Sequence, residues 1–136
     1  MLLHRTTSLT TGMNKFLAIS LGAILGANTR YWIGVWFDQT YAARFPIGTF
    51  VINVSGCLIL GFLVVLTTER VSLAPEWWLF LAVGFLGSYT TFSTLSVETW
   101  RLAAEGSWLL ALLNALGSIG AGFLGAWIGA QLARMI

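Results

Sequence analysis

The sequence predicts an all-α membrane protein of four transmembrane helices, and three observations predict it. Hydrophobic residues make up 57% of the 136-residue chain and charged residues only 9%, against about 25% charged in soluble domains. Most of the surface must therefore face lipid. Four apolar segments reach the length, about 20 residues, that a helix needs to cross a bilayer. The connections between them (38–45, 69–74 and 100–106) are short, which leaves one transmembrane domain over 14–136 behind a polar N-terminal leader, 1–13. Met13 offers an alternative start that would make most of that leader dispensable.

The first span is expected over about 14–37, interrupted by Arg30. Arg5 and Lys15 precede an apolar run that has signal-peptide length. The run continues through Tyr31, Trp32, Ile33 and Val35, so it reads as a retained span. The second span runs from Pro46 to Thr68 without a charge, with the proline in the first turn, where its missing N–H costs nothing. The third follows Pro75 and runs over about 77–99, with Glu98 near its end; the fourth covers 107–133, uncharged throughout. Seven tryptophans supply interfacial anchors.

With both termini on one side, Arg5, Lys15, Arg70 and Arg134 face Arg30, Arg44 and Arg101, four cations against three. Orientation follows Lys/Arg asymmetry, and this split gives almost none. Either Arg5 and Lys15 dominate, or the chain inserts both ways and pairs with an inverted copy. Gly22 and Gly26, and the stripe Gly117, Ala121, Gly125 and Gly129, have the small-xxx-small spacing that lets helices approach closely in lipid.

Several functions are excluded. No Lys/Arg cluster exists to hold nucleic acid. One histidine (His4) and one cysteine (Cys57) cannot build a zinc site or a Cys/His nucleophile. Cys57 reads as a small buried hydrophobe. No nucleophile–base pair marks an enzyme.

Polar side chains inside spans carry the functional signal, because lipid cannot satisfy them. Asn53 lies in the second span, and Asn114 and Ser118 share a face of the fourth with Gly122. The densest group is Gly84-Phe85-Leu86-Gly87 followed by Thr90-Thr91-Phe92-Ser93-Thr94-Leu95-Ser96. Hydroxyls that compete with the backbone predict a broken third helix at mid-membrane. The bland alternative is a helix whose hydroxyls bond their own i−4 carbonyls. A break would free carbonyls suited to a hard cation such as sodium. Donors with a single nearby acid, Glu98, suit a small anion better than a cation or proton path. The electropositive edge of Phe92 fits that, and Arg30 near a mouth would concentrate anions.

Taken together, Gly22-Ala23-Ile24-Leu25-Gly26-Ala27 with Arg30-Tyr31, the G-T-F-x-x-N segment from Gly48 to Asn53, and the third-span segment with Glu98-Thr99 resemble the Fluc (CrcB) fluoride channel family, from about Asn14 onward. The resemblance implies an antiparallel, dual-topology homodimer in the cell inner membrane, with two fluoride pores and a central structural sodium ion. It assigns Asn53, Phe92, Thr94 and Ser118 to the fluoride path, with Ser96 in the same hydroxyl-rich turn, Arg30 to a vestibule, and the carbonyls of Gly87 and Thr90 to sodium. Two positions depart from the family pattern. Leu95 stands where a second pore phenylalanine is expected, and Asn114 replaces an aromatic and could take over donor work. The even cation balance would then reflect inverted pairing. A small multidrug exporter would need an acid in the first span, which has Arg30 instead. A non-conducting assembly subunit would not need the Thr/Ser cluster.

Overall fold

The computed structural model describes residues 3–136, with side chains described at residue 12 and from residue 14 onward. Of the expected leader, Met1 and Leu2 lie outside the described residues, and the backbone from Leu3 is already helical. No strand occurs among the described residues. Helix α1 is Leu3–Thr40, 38 residues, or roughly 57 Å at 1.5 Å per residue. That exceeds a bilayer core of about 30 Å. It ends in an aromatic cluster: the Trp36 and Phe37 rings meet edge to face at 4.8 Å, and Tyr41 stacks on Phe37 at 5.7 Å.

Helix α2 is Ile47–Arg70, α3 spans 75–89, α4 is Phe92–Ala104 and α5 is Trp108–Arg134. Among the described residues three stretches are long and apolar enough to cross a membrane: Ile47–Arg70, Pro75–Ala104 and Trp108–Arg134. Helix α1 has the length, but Lys15, Asn28, Thr29 and Arg30 dilute its apolar run. Pro75 opens α3 at its first turn. Helix α4 stops at Gly106, φ 77°, where the Gly106 N–H donates to the Ala103 carbonyl at 3.0 Å and the Ser107 N–H to the Leu102 carbonyl at 2.8 Å. This is a Schellman end, which needs the left-handed residue that glycine supplies without strain.

Two helix pairs approach backbone to backbone. Helix α5 lies on α2 over an extensive contact. A Cβ on Gly61 would strike the Ala126 carbonyl, and one on Gly129 the Leu58 carbonyl. Helices α1 and α3 meet at Gly22, Gly26 and Gly84, where the Phe80, Phe85 and Ile19 carbonyls fill the space. The α5 stripe divides. Gly125 and Gly129 pack on α2, as does the neighbouring Gly122 against the Cys57 side chain, but Gly117 has nothing near its would-be Cβ. The reason is local: residues Leu113–Gly117 form a wide i→i+5 turn, which rotates everything before it off the α2-facing side.

At one point the chain leaves helical geometry within a span-length stretch. Thr90 has φ −80° and ψ 157°, and Thr91 has φ −149° and ψ 116°. Thr91 caps α4, its Oγ1 accepting from the Thr94 N–H at 3.2 Å. A threonine at this position satisfies one of the orphan donors of a helix start.

Candidate functional site

The two extended residues are splinted by α2. The Thr91 N–H donates to Asn53 Oδ1 at 2.8 Å, and Asn53 Nδ2 donates to the Thr91 carbonyl at 3.1 Å. In an unbroken helix the Thr91 N–H would serve the Gly87 carbonyl. Asn53 takes it instead, so the Gly87 carbonyl is released. The Thr90 hydroxyl turns back to the Leu86 carbonyl at 3.0 Å.

Two grooves meet at this splint. One, of about 370 Å³, is lined by Arg30, Asp38, Thr49, Thr91, Thr94 and Glu98 among others. The second, of about 340 Å³, includes Asn53, Gly87, Thr90, Phe92, Leu95 and Ser118. Thr91 alone lines both. Phe92 is 79% exposed, while Leu95 is buried. In the first groove the Thr49 hydroxyl donates to Glu98 Oε1 at 2.8 Å, and Glu98 Oε2 is buried without a partner.

Donor capacity differs among the expected residues. Asn53 keeps one N–H beyond its bond to Thr91. The Thr94 hydroxyl oxygen accepts from Thr91 Oγ1 at 3.0 Å, which leaves its own proton available. The Ser118 hydroxyl is buried with no protein partner. Ser96, by contrast, donates to the Phe92 carbonyl at 2.9 Å and lines neither groove.

Asn114 is fully buried and also outside both grooves. Thr99 Oγ1 gives its only proton to the Leu95 carbonyl at 2.8 Å, so toward Asn114 it can only accept. That fixes the amide: Nδ2 donates to Thr99 Oγ1 at 3.0 Å and toward the Leu95 carbonyl at 3.5 Å, leaving Oδ1 buried and unpaired. Asn114 therefore ties α5 to α4, and its N–H groups are engaged there.

Of the residues singled out from the sequence, Asn53, Phe92, Leu95, Ser118, Gly87 and Thr90 line the second groove, Arg30 and Thr94 line the first, and Ser96 and Asn114 line neither. Sequence reading passed over Thr91, Thr49 and Glu98 as site residues. The T-F-S-T run beginning at Thr91 carries a capping signal, a threonine three residues ahead of a helical N–H. Nothing in the sequence pairs Thr49 with Glu98, 49 positions apart.

The family model described as CrcB-like protein, Camphor Resistance (CrcB) matches residues 17–130. The chain belongs to the CrcB-like family. Among curated relatives, one from Solibacter usitatus (strain Ellin6076) is 48% identical over 120 residues, covering 88% of this chain and 98% of its own length. One from Roseiflexus sp. (strain RS-1) is 45% identical over 122 residues, 90% of this chain and 98% of its own length. One from Sulfurihydrogenibium sp. (strain YO3AOP1) is 44% identical over 124 residues, 91% of this chain and all of its own length. Each bears the name fluoride-specific ion channel FluC, the name of a transporter and not of an enzyme.

Proposed function

We propose that this chain is a fluoride-selective channel that lets fluoride leave the cytoplasm passively across the inner membrane. The names of its relatives supply the ion. The observation that carries the reading here is Ser118, whose hydroxyl is buried without a protein partner on the same groove wall as Phe92 and Asn53. An uncommitted donor in lipid is costly unless something passes that it can bond. With the free N–H of Asn53 and the hydroxyl proton of Thr94, it gives three donors near the helix break. Binding that replaces hydration at several weak sites suits conduction. The Phe92 ring edge adds an electropositive surface that does not hold an anion tightly. Arg30, half-buried on the neighbouring groove, would draw anions toward it. Ser96 has its proton committed and contributes little, and Leu95 offers no ring edge.

In this reading α1 is the fourth span, the break at Thr90–Thr91 lies at mid-membrane, and two inverted copies pair to give two pores. Phe92, Ile119 and Phe123, all exposed on the second groove, are an apolar surface that a second copy would cover. The carbonyls of Gly87 and Thr90 fit a structural sodium ion. Gly87 has lost its helical donor and is exposed, and Thr90 is extended. One chain offers too few oxygens for a hard cation, and an inverted partner would double them. Sodium there would fasten the broken segments of the two copies.

The test is fluoride efflux from vesicles carrying the purified protein, followed with a fluoride electrode. Fluoride should leave far faster than chloride; equal rates would overturn the assignment.

A further inference from the structure

Between Lys15 of α1, the 71–74 connection and the first turn of α3, a groove of about 530 Å³ opens. Such a volume falls in the range of ligand pockets, about 300–1,000 Å³. Its walls combine one cation with an apolar floor: Lys15 and Ser72 on one hand, and Leu73, Pro75, Trp78 and Leu79 on the other. Thr67 and Thr68 also border it, but their hydroxyls are committed to the Leu63 and Val64 carbonyls at 2.8 Å each.

The charge here is uncommitted. Arg134 pairs with Glu69 at 3.1 Å, and Arg70 donates to the Arg134 carbonyl at 2.6 Å, so both cations at the joined ends of α2 and α5 are occupied. Among the described residues no acid lies within ion-pair distance of Lys15. The groove also sits where one apolar stretch ends at Arg70 and the next begins at Pro75, the depth at which phospholipid headgroups lie.

We propose that this groove binds one anionic phospholipid, with Lys15 and Ser72 taking its phosphate and Trp78 and Leu79 taking the first methylenes of an acyl chain. A lysine stem covers apolar surface while its ammonium reaches the headgroup plane. Tryptophan suits the boundary between apolar and wet layers. A zwitterionic lipid shares the phosphate but brings its own cation close to Lys15, and free phosphate lacks the chain that the floor would hold. The inference requires that the chain lie in a bilayer and does not depend on which ion it conducts.

The test is native mass spectrometry of the full chain released from vesicles of equal phosphatidylglycerol and phosphatidylcholine. The wild-type chain should retain phosphatidylglycerol preferentially. Lys15→Gln should lower that preference about fivefold, the effect of one lysine at an anionic surface, and Lys15→Arg should keep it. Glycerol phosphate added in excess should not displace the lipid. Equal retention of the two lipids, or unchanged preference in Lys15→Gln, overturns the proposal. Displacement by glycerol phosphate overturns it too, reassigning the groove to phosphate alone. Every readout is a lipid count, so a chain inactive toward fluoride leaves the result interpretable.

Discussion

Asn53 bonds both backbone groups of one residue, accepting from the Thr91 N–H at 2.8 Å and donating to the Thr91 carbonyl at 3.1 Å. An amide side chain can do this because it carries a donor and an acceptor side by side. The ring it closes replaces the hydrogen bonds lost where the helix is interrupted, and it presents one remaining N–H to the groove.

Asn53→Ala should therefore fail twice. Leaving buried backbone groups unpaired should lower stability by about 1–3 kcal/mol, read as a drop in unfolding temperature in detergent, and fluoride flux should fall as well. Asn53→Asp is the sharper probe. It keeps the acceptor for the Thr91 N–H but sets an oxygen against the Thr91 carbonyl, so it should be no more stable than the alanine variant. Wild-type stability in both would remove the splint.

Phe92 separates function from folding. It is 79% exposed in one chain, so Phe92→Ala should change the stability of the single chain by less than about 0.5 kcal/mol. Loss of its ring edge should cut fluoride flux about tenfold, equivalent to ~1.4 kcal/mol at the barrier. Unchanged flux in vesicles would take Phe92 out of the path.

Glycines of one helix should divide by their surroundings. Gly129→Ala drives a methyl into the Leu58 backbone and should cost about 1–3 kcal/mol through overpacking. Gly120→Ala, with nothing within 4 Å, should leave the unfolding temperature of the single chain unchanged. A large loss of dimer in Gly120→Ala, measured by cross-linking, would place that side of α5 against a second copy.

Insertion in both orientations can be tested through charge. Adding two lysines to the 71–74 connection should bias orientation toward one side and reduce flux, because inverted pairing requires both. Cysteine-accessibility labelling reads the orientation. Full activity with a uniform orientation would end the inverted-pair proposal.

The three span-length stretches found in the structure agree closely with those the apolar runs predict: Ile47–Arg70 against 46–68, Pro75–Ala104 against 77–99, and Trp108–Arg134 against 107–133. They are legible because lipid demands length and apolarity, which are additive along a chain. The hydroxyl-rich segment 90–96 contains the two extended residues, and Gly84, ahead of it, sits at a close helix contact, whereas Gly87 does not. Roles within the site were less legible. Asn53 reads as a donor in sequence, yet most of its capacity is spent on Thr91. Asn114 reads as a substitute donor, yet its N–H groups serve Thr99 and Leu95. A sequence shows which groups can bond, but partners are assigned by three-dimensional competition. The wide turn at Leu113–Gly117 likewise left no trace in residue type, and it shifted the glycine register.

Thr91 is the one residue common to both grooves, so its side chain stands at the boundary between them. Its backbone is pinned by Asn53, but its hydroxyl sits 3.0 Å from Thr94 Oγ1 and 3.3 Å from Ser93 Oγ, with one proton to share between them. A valine would preserve the bulk of that side chain and erase its polarity. The polarity of the boundary between the two grooves thus rests on the orientation of one O–H, and turning it is a far smaller motion than any helix movement.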